Sequence, residues 1–251
     1  MSPVTREPFS LPEDHETVAL LLLPLVFLLV ERLRPSRPQA WRDDLRRDVL
    51  AFVVLAVSVA TSRAALRAAF AASGLPTAAE LIAGWPSPAR IAFGLALADL
   101  CLYWLHRAMH TRWLWRSHAW HHASRHLYWL SGFRTSFVHA LLFAVPQIAI
   151  PFLFGFSVHE VGVALALGVG IQLWAHANVD VDLGPLRWVI VSPQYHRAHH
   201  ALEATRDKNF SIYLPLWDLL FGTWQDPATL PAGYALGATP EPSLPRMLVG
   251  V

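Results

Sequence analysis

The sequence predicts an all-α fold, a polytopic bundle of membrane helices carrying a histidine-rich cap, and three observations predict it. Of 251 residues, 54% are hydrophobic and only 15% charged, whereas a soluble domain carries about 25% charge; mean hydropathy is +0.36. The apolar residues fall into long runs broken by short basic or Pro/Gly-rich stretches. Nine of the thirteen histidines gather where those runs end. The net charge of +2 is small, and no nucleic-acid partner is expected. The single cysteine, Cys101, lies in an apolar run and cannot form an intrachain disulfide.

Residues 1–16 form an N-terminal tail with Glu7, Glu13, Asp14 and Glu16. They lack the basic region of a cleavable signal, so the first apolar run reads as a retained span. That span covers about 17–33 and is completed by snorkelling of Glu31 or Arg32. Arg32, Arg34, Arg37, Arg42, Arg46 and Arg47 follow, and the positive-inside rule puts this loop in the cytoplasm. The second span covers 49–72; Arg63 and Arg67 interrupt its far half and mark an interface there. A Gly/Pro-rich turn leads to the third span, 90–105, which returns to the cytoplasm. Segments 137–156 and 158–176 read as a hairpin that enters the bilayer and comes back. The cap is expected from 106–135 and 177–225, with an irregular tail at 226–251, all in one membrane domain, 17–251. Trp104, Trp113, Trp115, Trp120 and Trp129 suggest that the cap sits at the membrane interface. Counting spans from the basic loop places every histidine cluster on the cytoplasmic side, and the count does not use the histidines.

The clusters are HRAMH (His106, His110), HAWHH (His118, His121, His122) and HRAHH (His196, His199, His200), with His176 alone between the last two. Positions i, i+3 and i+4 share one helical face, so each cluster is expected to point its imidazoles in one direction. Nine neutral nitrogen ligands are too many for one metal and suit a di-metal site. Imidazole binds iron, zinc, copper and nickel alike, so ligand type leaves the metal open. His15, His139 and His159 read as ordinary core or surface residues; His126 shares the spacing of the second box and is read as a non-ligand.

Asp99, Tyr103, His106 and His110 lie on one helical stripe. A buried carboxylate costs several kcal/mol unless paired, so Asp99 is expected to accept a hydrogen bond from a ligand imidazole, with a helix–helix polar contact as its alternative. Asn178 could serve the same outer shell, as could Asp180 and Asp182 unless they are solvated. Arg134 either binds a phosphate or carboxylate or anchors to headgroups. Other chemistries are missing their residues. His159-Glu160 begins an HExxH motif, but position 163 is Val. There is no GxSxG, P-loop, CxxC or CxxCH, and the all-histidine set differs from carboxylate di-iron bundles.

DLCLYWLHRAMH, HAWHHAS, QLWAHANV, SPQYHRAHH and DKNFSIYLPLWDLLFGTW together resemble the fatty acid hydroxylase/sterol desaturase superfamily, from about Asp99 to Trp224. The resemblance implies two iron ions, held by His106, His110, His118, His121, His122, His176, His196, His199 and His200, that activate O2. It implies hydroxylation or desaturation of an unactivated C–H bond of a fatty acyl, sterol or ether lipid taken from the bilayer. It also implies an external electron donor, a reductase with a ferredoxin or cytochrome, since no cytochrome b5-like domain is present. Asn209 and Asp218 match residues of the trailing segment, with structural or outer-shell roles. Zinc could replace iron on purification. SRHLYW follows the second box where many members carry acidic residues, which leaves substrate contacts there open. The same boxes serve carotenoid and other isoprenoid hydroxylases. A non-catalytic metal-binding membrane protein would instead line a path through the bilayer with its histidines. Oligomeric state is left open.

Overall fold

The computed structural model describes residues 14–37, 41–202, 207–231, 233–237 and 243–250, with the side chains of 14–21, 41–43, 244 and 247 outside that description. The expected tail before Asp14, its acidic residues and parts of the C-terminal tail fall outside it. The helices are α1 (Asp14–Leu33), α2 (Trp41–Ala72), α3 (Ser87–Met109), α4 (Trp115–His118), α5 (Phe137–Leu153), α6 (Val158–His176), α7 (Pro193–His199), α8 (Leu216–Phe221) and α9 (Leu244–Val249). Short 3-10 turns connect them, and two isolated bridges, Pro35 to Val179 and Ala201 to Leu236, are the only β pairing among the described residues.

Among the described residues, Asp44–Ala72, Ser87–Met109 and Val158–His176 are long and apolar enough to cross a membrane. α5 is apolar but has 17 residues, about 26 Å of helix against a hydrocarbon core of about 30 Å. Five crossings were expected. The first falls within α1, whose first eight side chains are not described, and the fourth is this shorter helix. The outward faces suit lipid: Phe52, Val53 and Val57 on α2 and Leu25 and Leu29 on α1 are exposed. α2 packs on α5, α1 on α6, and α3 against both α5 and α6.

Local chemistry sets the helix ends. Ser157 and Glu160 form a reciprocal capping box at the start of α6, with the Glu160 amide 3.2 Å from Ser157 Oγ and the Ser157 amide 2.8 Å from Glu160 Oε2. Ser136 caps α5 and Ser192 caps α7, where Pro193 supplies a first residue with preset φ. At the hairpin tip Arg90 pairs with Glu160 at 2.7 Å and donates to the Gly155 carbonyl at 2.8 Å, tying the tip to the start of α3.

Three boundaries differ from expectation. α2 starts at Trp41, so half of the basic loop is helical, and Asp44 and Asp48 fall in its first turns, where acidic groups suit the helix dipole. α3 runs on through His106 to Met109 rather than ending at 105. The tail is not wholly irregular, since α9 packs against α4 and α5. Trp120, expected at the interface, is buried against Ala51 and Ala123.

A histidine-lined candidate metal centre

All nine clustered histidines come to one end of the bundle. They form two groups whose ligand nitrogens lie within 4.8 Å of one another: His106, His110, His118, His122 and His199 in one, and His121, His176, His196 and His200 in the other. The boxes do not each point one way, as had been expected. His118 and His122 join the first group while His121 joins the second; His196 and His200 join the second while His199 joins the first. In HRAHH, carried by α7, successive residues are about 100° apart, so His196 and His200 stay together while His199 diverges; in HAWHH, α4 ends at His118 and a 3-10 turn carries His121 and His122. An HxxHH box therefore serves both groups at once. The groups adjoin: the His122 and His200 rings stack with centroids 4.3 Å apart.

Ring orientation is set from behind. His106 Nδ1 donates to the Phe210 carbonyl at 2.7 Å, His199 Nδ1 to the Lys208 carbonyl at 2.8 Å, and His176 Nδ1 to the Gln172 carbonyl at 2.9 Å. A carbonyl only accepts, so these three rings carry their proton on Nδ1 and turn an Nε2 lone pair inward. There His106 Nε2 lies 3.0 Å from His118 Nε2, and His176 Nε2 lies 2.9 Å from His196 Nε2 and 3.3 Å from His121 Nε2. Two nitrogens at right angles around one ion, each about 2.1 Å from it, are about 3 Å apart. Converging lone pairs at this spacing fit a cation between them. His110 Nδ1 lies 3.4 Å from the carboxylate of Asp207, a further arrangement that favours a ligating imidazole.

Burial holds His118, His121, His122, His196, His199 and His200 well below the usual histidine range, and neighbouring imidazoles push the same way. Neutral rings are the form that ligates. The sign of the pH effect follows. In metal-free protein these groups take up protons on unfolding but not when folded, so stability is lost as pH falls through the unfolded histidine value of about 6.5. Metal-free protein is expected to melt at progressively lower temperature from pH 7 to pH 5, and metal-loaded protein to shed metal over the same window. Melting curves in that window that are flat for the metal-free form would contradict buried neutral rings.

The expected outer-shell residues have different work. Asp99 touches no histidine. Its carboxylate accepts the backbone amides of Ile212, Tyr213 and Leu214 at 3.1, 2.9 and 2.8 Å and the Trp217 indole at 3.0 Å, so it anchors the segment after the third box. Tyr103 meets Thr223 Oγ1 at 2.8 Å, not an imidazole. Asn178 brackets Arg37, donating to its carbonyl at 2.9 Å and accepting its amide at 3.2 Å. Arg134 is fully buried and meets two carboxylates of this chain. Its Nε pairs with Asp48 and its Nη2 lies 3.1 Å from Asp44 Oδ1. Burial works to lower the Arg134 pKa, and the two carboxylates outweigh it and hold the guanidinium above its usual value. Asp180 meets the Gln194 amide near the surface, and Asp182 accepts the Gly184 amide at 2.8 Å.

Asn209 acts through its neighbours. It lies between Lys208 and Phe210, whose carbonyls orient His199 and His106, and it adopts φ of 59°, a left-handed conformation that asparagine tolerates better than most residues. Its side chain accepts the Gln225 amide at 2.7 Å and donates to the Gln225 and Tyr195 carbonyls. Asp218 braces the same segment, accepting the amides of Phe210 and Ser211, each at 2.8 Å, and the hydroxyls of Thr223 and Tyr195. Gly132 is required by close approach: a Cβ there would sit 2.7 Å from the His176 ring.

His126 pairs with Asp44 at 3.3 Å, away from both groups. His139 is the residue the sequence did not single out. It is buried on α5 with Nδ1 3.4 Å from His118 Nδ1, and only its distance from any box kept it out of the pattern. His159 is exposed at the opposite end of the bundle, and the His15 side chain is outside the described residues.

A cavity of about 390 Å³ starts at His106, His118, His121, His139 and His196 and runs into the bundle between α2, α3, α5 and α6. Its middle is apolar, with Ala98, Leu102, Ala140, Phe143 and Ile148.

The fatty acid hydroxylase family model matches residues 91–223. An ornithine lipid hydroxylase from Rhizobium tropici is 30% identical over 238 residues, covering 88% of this chain and 70% of that protein. Human alkylglycerol monooxygenase is 29% identical over 143 residues, 56% of this chain and 32% of that protein. A very-long-chain aldehyde decarbonylase from Oryza sativa subsp. japonica is 27% identical over 201 residues, 75% of this chain and 29% of that protein. The chain thus spans about a third of the length of the last two. No solved structure matches the chain. The family model covers both histidine groups and, of the helices around the cavity, α3, α5 and α6, and the chain is an integral membrane protein that belongs to the fatty acid hydroxylase family.

Proposed function

We propose that this protein is an O2-dependent oxygenase with two iron ions that hydroxylates or desaturates an unactivated C–H bond of a bilayer lipid. The observation that carries the reading is the convergence of nine imidazoles in groups of five and four, of which His106, His118, His121 and His196 line one end of an apolar cavity. His106, His110, His118, His122 and His199 would hold one ion; His121, His176, His196 and His200 would hold the other. When bound, the ions supply the redox chemistry that activates O2.

The chain supplies the rest. The Phe210, Lys208 and Gln172 carbonyls keep Nδ1 of His106, His199 and His176 protonated, so each Nε2 stays available as a ligand. Leu102, Ala140 and Phe143 exclude water and align an acyl or alkyl chain with its reacting carbon at the histidine end. His139 Nδ1 orients the His118 ring. Hydroxylation and desaturation begin with the same hydrogen abstraction, and the placement of the second C–H bond decides between them. The electrons come from an external carrier. The lipid substrates named for the ornithine lipid hydroxylase and alkylglycerol monooxygenase relatives support a lipid here. The basic residues between α1 and α2 favour a cytoplasmic site, at the membrane-facing end of a single domain.

Metal analysis with spectroscopy tests the reading. Protein purified anaerobically with iron supplied is expected to hold about two irons per chain with a coupled signal. His199→Ala and His121→Ala, one in each group, should both abolish the coupling. A single metal indifferent to either substitution would sink the reading.

A further inference from the structure

The cavity has a second polar end. Arg63 and Arg67, one turn apart on α2, line its far end with Gln147 on α5 and Tyr213. Phe52 packs on Phe133, close to the histidines, with ring centroids 5.4 Å apart. Arg63 is eleven residues further along α2, roughly 16 Å deeper. Phe70 and Phe152 meet at 5.2 Å, so α2 and α5 rise side by side, and Gln147 falls level with the two arginines.

Arg63 is half-buried on a span and has no carboxylate partner among the described residues. The ionisable groups that bear on it are Arg67, which repels it, and Tyr213. Arg90 is compensated by Glu160 and Arg134 by Asp44 and Asp48, and the buried Arg197 donates to the Ser36 hydroxyl and the Ala177 and Val179 carbonyls. A charge taken out of water without a partner is costly, and an ionisable residue within a span is a functional site by default. Gln147 is the one polar side chain of α5 beyond His139, and it too faces the cavity. Tyr213 approaches over Gly168, where a Cβ would meet its hydroxyl at 2.9 Å. A glycine there keeps room for the phenol beside Arg63.

We propose that Arg63, with Arg67, Gln147 and the Tyr213 hydroxyl, forms an anion-binding end of the cavity, and that its ligand is a single-chain amphiphile with a carboxylate or phosphate there and its hydrocarbon running to the histidines. The anion would neutralise Arg63, and the roughly 16 Å offset would set which carbon meets the metal centre. This deepens the proposed function and rests on reading the cavity as the lipid site.

Equilibrium binding to full-length protein in a neutral detergent tests it, with hexadecanoic acid, hexadecyl phosphate and hexadecanol as probes. The acid, the phosphate or both should bind about tenfold or more tightly than the alcohol, and which of the two is preferred identifies the anion. Arg63→Gln should erase the preference; Arg63→Lys should keep most of it. Phe143→Trp, which narrows the middle of the cavity, should weaken all three. Equal affinity for acid and alcohol, a preference that survives Arg63→Gln, or indifference to Phe143→Trp overturns the proposal. Melting curves of each variant check folding. Metal content on the same samples separates the two readings: protein without metal that keeps the acid preference sinks only the metal reading, and metal-loaded protein without that preference sinks only this one.

Discussion

Arg134→Met is expected to cost about 3–5 kcal/mol of stability, because it strands buried carboxylates without their counter-charge. Asp48 is fully buried, and its two oxygens are taken by Arg134 Nε and the Tyr128 hydroxyl. Asp44 shares the same guanidinium at 3.1 Å. These contacts join the start of α2 to the segment that leaves the second histidine box, so their loss loosens His121 as well as the fold. Burial, then the Asp48 charge, pushes the Tyr128 hydroxyl well above its usual pKa, so it stays a donor to the carboxylate. Arg134→Lys should recover only part, since an ammonium cannot reproduce the planar fork. The check is a denaturant titration in detergent. Removing the stranded charges as well, with Asp44→Asn and Asp48→Asn added to Arg134→Met, should restore at least half of the loss. A single variant within about 0.5 kcal/mol of the wild type, the range of an ordinary surface change, would mean that the ion pair does not hold this joint.

Asp218→Ala is expected to be comparably damaging and to act selectively on one histidine group. Its carboxylate is fully buried and satisfies the amides of Phe210 and Ser211 and the hydroxyls of Thr223 and Tyr195. Each donor left buried without an acceptor costs about 1–3 kcal/mol, which puts the total near 4 kcal/mol or above. The Phe210 and Lys208 carbonyls that orient His106 and His199 belong to this segment, and both histidines lie in the group of five. Metal held by that group should therefore be lost at lower chelator concentration than metal held by His121, His176, His196 and His200. Asp218→Asn should fall between, because an amide offers one accepting oxygen where the carboxylate has two. Equal loss from the two groups, or full metal retention with an unchanged melting temperature, would remove Asp218 from this role.

The relation of sequence to structure differs from residue to residue. The three boxes were legible because i and i+4 spacing is local: His106 with His110, His118 with His122, and His196 with His200 each stay in one group. Which group His121 and His199 each join was not legible. It depends on which box faces which across the bundle. Asp99 and Tyr103 sit on the same stripe as His106, and the stripe suggested contact with the imidazoles. Instead, the segment 212–214, more than a hundred residues away in sequence, lays its amides on Asp99. His139 carries no local signal, and only the packing of α5 brings it to His118.

By itself the sequence determined the apolar helices and the gathering of the histidine boxes at span ends, and its motifs carried the resemblance to the family. The first two follow from composition or from spacing along one chain, where periodicity sets the face a side chain occupies. The tertiary structure decided the division of nine histidines into five and four, the closed Arg134–Asp44–Asp48 joint, the bracing by Asp99 and Asp218, and the direction of Arg63 into the cavity. Periodicity names a face but not the neighbour that packs against it, and a buried charge takes its role from that neighbour.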